Sequence, residues 1–379
     1  MRVAVVAEFY PSARDPVLGV WAHRQALAAR DAGARVEVVV LHRLVPPEAS
    51  LRDGTWRHEL RGRLRETRRQ IVDGLPVTYV PFVSPRRSRS YARWGAWAAG
   101  PLALTLRRLG KFDLVHAHNA IPAADAVRRA RLRTPLVVSV HGGDVLFTSH
   151  RVPGGEEAVR ASLGAARLAL ANSAGIADLA RRHGAPRARV VHLGTDVPPA
   201  QSAPDDARSV VTVGHLVARK RHADVLRALA LLGDVRYVVI GDGPERLPLE
   251  QLARELGVDA RFLGQLPHER ALEVARRCAV FAMPSVDEAF GVAYVEAMAA
   301  GLPAIGASGE PGPEEIGDGL LKVPPGDVEA LAATLRELLD HPKWRREVGQ
   351  HARRTVLERF TWERCGRETV AAYREALAP

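Results

Sequence analysis

The chain is poor in cysteine and lacks long apolar runs and the common nucleotide-binding fingerprints. Only Cys278 and Cys365, both in helix-like settings, occur in 379 residues. A disulfide framework and a Cys-based metal site are thereby excluded, and a reducing cytosol fits. No stretch approaches the roughly 18 uninterrupted apolar residues of a membrane span. The opening "MRVAVVAEFYPSARD" reads as a strand and a loop, without the basic start, apolar core and small-residue cleavage site of a secretory signal. A strict G-x-G-x-x-G is missing, because "GDGPER" (241–246) carries Arg246 at the third glycine's place. "RRLGKFD" is no P-loop, since Phe112 stands where Ser or Thr is needed. Conventional NAD enzymes and P-loop NTPases are disfavoured.

What is present is a globular composition, 47% hydrophobic with 32 glycines and 26 prolines. The length exceeds the roughly 250–300 residues at which single cores stop growing, which predicts two domains. The net charge of +11 is uneven: residues 1–200 hold 31 Lys and Arg against 16 Asp and Glu, and residues 201–379 hold 23 against 27. Either the first half faces an anionic partner or the chain is simply rich in Arg throughout.

Short β-branched runs alternate with longer Ala/Leu/Arg-rich helical stretches. Strands are expected at 2–8, 36–42, 77–82, 114–119, 136–142, 168–173 and 190–194, then at 209–215, 235–242, 260–265, 279–284, 303–308 and 320–324. Near-continuous apolar strands separated by helices predict parallel sheets covered on both faces. "VPPAQSAPDDAR" (197–208) falls between the two strand sets and reads as a linker. The expected fold class is α/β, two tandem doubly wound Rossmann-like domains facing across a cleft, with ligands beyond the carboxyl ends of the strands.

"SVDEAFGVAYVEAMAAGLPAI" (285–305) places Glu288 on a loop and Glu296 inside an apolar helix beginning near Phe290-Gly291-Val292. The first amides of a helix attract anions, and a carboxylate accepts two hydroxyl hydrogen bonds at once. The pattern suits a phosphate-linked sugar. The plainer alternatives are a core ion pair for Glu296 and a solvated loop charge for Glu288.

This segment resembles the E-x7-E signature of retaining GT-B glycosyltransferases, specifically group 1 glycosyltransferases of family 4. The resemblance covers nearly the whole chain. "VGHLVARKRHADVLRAL" (213–229), "IGDGPERLPLEQLARELGV", "RFLGQLP", "LLKVPPGDVEALA" (320–332) and "RFTWERCGRETVAAYREAL" (359–377) follow its order. It implies an acceptor-binding domain over 1–198, a donor-binding domain over 199–355, and a C-terminal helix at 356–379 crossing back to the first domain. It also implies that Glu288 binds hydroxyls of the transferred sugar and Glu296 the ribose diol. The diphosphate falls to Phe290, Gly291, Val292 and Lys220, with Gly19 nearby, and the base to Gly264 and Gln265. After Gly214 the family usually has Arg, whereas this chain has His215, a weaker anion grip unless protonated; Arg219 stands ready to compensate.

In "VVSVHGGDVL" (137–146), His141 follows a strand. By the resemblance His141 lies beside the reacting sugar, so His141 and Glu288 are the catalytic assignments, with no nucleophile assigned. His116 and His118 of "LVHAHNA", with Asp144, are read as the acceptor side; a His-x-His metal pair is the lesser reading. The family implies retention of anomeric configuration, a UDP- or GDP-linked sugar as co-substrate, no other cofactor and no obligatory metal. The acceptor is a glycan, a lipid-linked molecule or a small molecule. "YPSARDPVLGVWAHRQ" is similar to teichuronic-acid-type envelope glycosyltransferases, pointing to envelope polysaccharide or glycolipid synthesis.

Two basic stretches, "RHELRGRLRETRR" (57–69) and 85–112 with Tyr91, Trp94 and Trp97, suit either an anionic membrane surface or a solvated helix face. The expected location is cytoplasmic, with a peripheral station on the inner face of the plasma membrane. Rival readings are a same-fold sugar-nucleotide epimerase or phosphorylase and a basic nucleic-acid-binding protein. For the latter no helix-turn-helix, finger or RNA-binding aromatic pattern is present, so nucleic acid is not an expected partner.

Overall fold

Runs such as Val3–Ala7, every side chain of which is 0% exposed, become strands because both of their faces are covered. The computed structural model describes residues 1–378 apart from 13–14, 16, 47, 66–68 and 200–205. Half of the expected linker and part of the 57–69 basic stretch therefore lie outside the described residues. The chain divides into two units, Met1–His192 with Trp362–Pro379, and Leu193–Thr361.

The first unit holds eight strands, β1 Arg2–Ala7, β2 Arg35–Arg43, β3 Gln70–Val72, β4 Leu75–Phe82, β5 Leu114–His118, β6 Leu136–Val140, β7 Leu168–Ala171 and β8 Ala188–Val190. Their order is β3-β4-β2-β1-β5-β6-β7-β8, parallel except for the β3–β4 pair. The second unit holds β9 Ser209–Val213, β10 Arg236–Ile240, β11 Ala260–Phe262, β12 Val280–Ala282, β13 Ala304–Ala307 and β14 Leu321–Val323. These are all parallel, in the order β11-β10-β9-β12-β13-β14. Both are doubly wound Rossmann-like sheets.

The sequence reading missed β3. It is a three-residue edge strand, too short for periodicity, and Ile71 in it is 69% exposed. The local signal was Asp73-Gly74, both at positive φ (47° and 78°), the two-residue turn that joins antiparallel strands. Cys278 lies in the turn before β12 and not in a helix, while Cys365 is helical; both are buried and neither forms a disulfide among the described residues.

In the first unit, helix Val20–Asp31 and helix Trp362–Leu377 pack together over the sheet, and Cys365, Val370 and Tyr373 share a core with Val3, Val5 and Val38. Gln25 Nε2 donates to Thr369 Oγ1 at 3.1 Å. In the second unit Leu335 and Leu338 of helix Val328–Asp340 cover Val210, Val239 and Val280. Each such buried aliphatic side chain contributes about 1.5–3 kcal/mol. Among the described residues no helix is long and apolar enough to cross a membrane.

Candidate active site

In the second unit the loops after β9, β10 and β11 are stacked backbone on backbone. A Cβ on Gly241 would fall 1.9 Å from Gly214 O, and one on Gly243 2.4 Å from Leu216 O, so neither position tolerates a side chain. Gly241 N donates to Gly264 O at 2.9 Å, placing Gly264 at the same strand edge, with Gln265 exposed beside it. His215, also exposed, stands on the first of these loops.

The loop after β12 meets the loop after β9. Val286 N donates to Arg219 O at 2.9 Å, and Lys220 Nζ donates to Glu288 Oε2 at 2.5 Å. Ser285 Oγ donates to the same oxygen at 2.9 Å, and Arg219 Nη1 lies 3.9 Å from it. Burial alone would push the Glu288 carboxyl up; the Lys220 ammonium, with Arg219 and the serine, more than offsets this and holds it below the usual carboxylate range. The backbone of Glu288 is fixed as well, since its N–H donates to Glu310 Oε2 at 3.0 Å and its carbonyl accepts from Gly312 N at 2.8 Å.

Three residues on, Gly291 (φ 80°) caps helix Val292–Ala299, and no side chain caps its first turn. Val292 opens the helix. The Phe290 side chain points away from any ligand role: it is 2% exposed and lies edge-on to Phe360. Glu296, a turn into the helix, has no Arg partner among the described residues; His268 Nε2 stands 3.5 Å from its Oε1. Burial, with the nearby Asp196 charge, raises its pKa to about 8, so it is a neutral acid at pH 7.

In the first unit His141 follows β6. Its ring stacks on His118 (centroids 5.2 Å apart, planes 8° apart), and His118 Nδ1 and His141 Nε2 are hydrogen-bonded at 2.9 Å. Burial lowers the His141 pKa to about 4, and burial with the neighbouring His116 and His141 holds His118 well below the usual imidazole range, so both are neutral. One shared proton links the pair, and His141 Nδ1 has no hydrogen-bond partner among the described residues. Gly19 caps helix Val20–Asp31 directly against the backbone of Phe9 and Tyr10.

Three expectations need correction. His116 does not line an acceptor pocket: it is 1% exposed, with Nδ1 bonded to Tyr373 Oη (2.7 Å) and Nε2 to Ser139 Oγ (2.8 Å), a tether between sheet and C-terminal helix. Asp144 is 3% exposed and accepts from Ala120 N at 3.0 Å; burial raises its pKa to about 7. Tyr91 and Trp94 are buried at 7% and 3%, so they are not membrane-facing aromatics.

Sequence reasoning also missed a pocket of about 1300 Å³ within the first unit, walled by Glu8, Arg43, Arg63, Arg87, Tyr91 and Trp94 among others. Its residues come from separate strand ends, so no single motif announces it. The partners Ser285, Tyr294 and Glu310 around Glu288 went unassigned too, although Ser285 stands in the quoted motif.

Residues 195–355 match the family described as glycosyl transferases group 1, and residues 17–197 match glycosyltransferase family 4. The chain is 25% identical over 386 residues, 95% of each chain, to the teichuronic acid biosynthesis glycosyltransferase TuaC of Bacillus subtilis. It is 30% identical over 321 residues, 75% of this chain and 72% of the other, to D-inositol 3-phosphate glycosyltransferase of Mycolicibacterium smegmatis. The crystal structure of Anabaena Alr3699/HepE in complex with UDP superposes with a TM-score of 0.74 at 18% identity, over 99% of this chain and 100% of that one.

Proposed function

Because the chain belongs to the group 1 glycosyltransferases of family 4 and is a transferase by that membership, we propose that it moves a hexose-type sugar from a UDP- or GDP-linked donor, with retention, to a glycan, lipid-linked or small-molecule acceptor. Envelope polysaccharide or glycolipid synthesis is the setting this reading favours, in line with TuaC. The observation that carries it is the Lys220–Glu288 pair beside the uncapped start of helix Val292–Ala299, with Glu296 one turn in.

In this reading Lys220, Arg219 and the helix amides hold the diphosphate, where leaving-group charge develops. Glu288 accepts from hydroxyls of the transferred sugar. Glu296, a neutral acid at pH 7, can both donate to and accept from the ribose diol. The base lies by Gly264 and Gln265. The bond from the anomeric carbon to the diphosphate oxygen breaks, the bond to the acceptor oxygen forms on the same face, and the acceptor proton passes to the departing diphosphate. The neutral imidazole of His141 acts through Nδ1 on the reacting sugar.

UDP- and GDP-sugars are the test. A true donor at 100-fold its dissociation constant stabilises the protein by about 2.7 kcal/mol, and the product must keep the donor's anomeric configuration. No stabilisation by any such sugar, or an inverted product, refutes the reading. Exposed Leu51, Trp56 and Leu64 beside Arg52, Arg57 and Arg61 support association with an anionic membrane surface. Sedimentation with anionic vesicles at low salt tests that, and an empty pellet refutes it.

A further inference from the structure

Strands β5 and β6 carry polar side chains on one shared face. Residues two apart on a strand point the same way, so His116 and His118 of β5 meet Ser139 of β6 and His141 just beyond it. His118 stands opposite Ser139 in the parallel register, and each of the two β5 histidines reaches diagonally to a partner 23 positions on. The first of these rungs is closed at both ends: His116 Nε2 meets Ser139 Oγ at 2.8 Å, and its Nδ1 meets Tyr373 Oη at 2.7 Å. The second is closed only in its middle, where His118 Nδ1 and His141 Nε2 are 2.9 Å apart. Its outer atoms, His118 Nε2 and His141 Nδ1, are buried and have no hydrogen-bond partner among the described residues. Buried polar atoms are rarely left open, so two on one pair call for a reason.

The protons of the pair can be counted. Both rings are neutral at pH 7, and each therefore carries one N–H. One of the two protons occupies the bond between the rings. The other must sit on an outer nitrogen, and the ring that donates in the middle decides which. If His118 Nδ1 donates, His141 accepts at Nε2 and carries its own proton on Nδ1. If His141 Nε2 donates, His118 carries the outer proton on Nε2 and His141 Nδ1 is bare. The two arrangements differ in where an unmet donor lies. His118 is 1% exposed and packs against His116 (centroids 4.5 Å apart), whose nitrogens are both engaged. His141 is partly exposed, at the carboxyl edge of the sheet, with Trp21 edge-on to it. An N–H without an acceptor is the rarer defect in folded proteins, so the outer proton belongs on His141, at the ligand edge.

Resting on the transferase reading above, we propose that His118 is a positioning residue: its Nδ1–H donates to His141 Nε2 and so fixes His141 as an Nδ1–H donor to a hydroxyl oxygen of the transferred sugar. A neutral donor suits this place. Positive charge builds on the anomeric carbon as the leaving group departs, and an imidazolium would oppose it. An imidazole with no fixed tautomer would spend part of its time presenting a lone pair instead of a proton.

Nitrogen NMR of protein carrying isotope-labelled histidine tests this, because protonated and bare ring nitrogens resonate far apart. The signals lost in His141→Gln assign that ring. The parent should show His141 protonated on Nδ1 and bare on Nε2, both alone and with UDP-glucose or GDP-mannose bound. His118→Asn puts an amide N–H where Nδ1–H stood and should keep the pattern. His118→Leu removes the donor and should lose it. In His118→Leu, kcat for release of UDP or GDP from the donor should fall about 10-fold, the loss expected of one directed hydrogen bond, with UDP affinity unchanged. His118→Asn should recover most of that rate. A merely structural role would leave the tautomer of a folded variant unmoved, and hydrogen exchange of the β1–β8 amides certifies the fold. If His118→Leu does not fold, the spectra of the parent and His118→Asn decide alone. His141 protonated on Nε2, an even mixture of the two forms, or folded Asn and Leu variants that behave alike would each overturn the proposal. Binding of neither nucleotide sugar would count against the donor reading, while the free protein's spectra still decide which ring holds the outer proton.

Discussion

Lys220→Met strips Glu288 of its closest cation. Lys220 is 9% exposed and Glu288 7%, and the pair is 2.5 Å apart, so the carboxylate is left buried with Arg219, at 3.9 Å, and the neutral Ser285 hydroxyl for compensation. Breaking a buried pair in this way costs about 3–5 kcal/mol, whereas replacing both partners with uncharged groups of similar size is close to neutral. Lys220→Met alone should therefore destabilise the second unit by about 3–5 kcal/mol, and Glu288→Gln alone by a similar order. The double variant should lose far less than their sum, with a coupling of at least about 2 kcal/mol. Native-state hydrogen exchange of the β9–β14 amides measures this unit by itself, which whole-chain melting does not. The Lys220→Met loss should also shrink in acid, because without the ammonium the carboxyl is raised by burial and protonates at a higher pH. All three variants should fail to bind UDP-sugar tightly. Additive losses in the cycle, or a Lys220→Met loss that does not change with pH, would refute a coupled buried pair.

Other perturbations report on other groups. Glu296 is raised from 4.5 to about 8 in the fold, so its contribution to stability is complete below about pH 4.5 and is lost as pH rises through 8. Glu296→Gln should remove that decline, on the order of a few kcal/mol, read as hydrogen exchange of the second unit at pH 6 and 9. His141→Ala should lower kcat about 100-fold with UDP affinity intact. Because the His141 pKa is about 4, the parent's rate should show no inflection from this residue between pH 6 and 8. Tyr373→Phe leaves His116 Nδ1 without its 2.7 Å partner in a dry core, and exchange should show a loss of about 1–3 kcal/mol in the first unit alone.

Much of this architecture was legible because parallel, doubly covered strands advertise themselves: every expected run from 2–8 to 320–324 overlaps an observed strand, 190–194 only at its edge. Glu288, Gly291 and Glu296 were legible as a unit because a strand end, a loop and a helix start are contiguous in sequence. The roles of His116 and Asp144 were not, since burial and partners depend on Tyr373 and Ala120, hundreds or tens of residues away. Tyr91 and Trp94 misled for the same reason. An aromatic among arginines reads alike whether it faces lipid or, as here, stacks under Arg87 and Arg43 inside a pocket. Convergence of Arg43, Arg63 and Arg87 needs β2, a helix and a post-β4 turn at once, and no local pattern encodes it.

The first unit is built from two separate stretches of chain, its closing piece being Trp362–Leu377, which carries Tyr373 to His116 and Glu375 to Arg189. During synthesis the intervening segment can fold as soon as it emerges, but the earlier half must wait for Trp362–Leu377 to be made. Until then the apolar faces of Val20–Asp31 and the sheet beneath it lie open to water and to other chains. A chain cut short near residue 360 would carry one finished unit joined to one that still lacks its closing helix and is prone to aggregate.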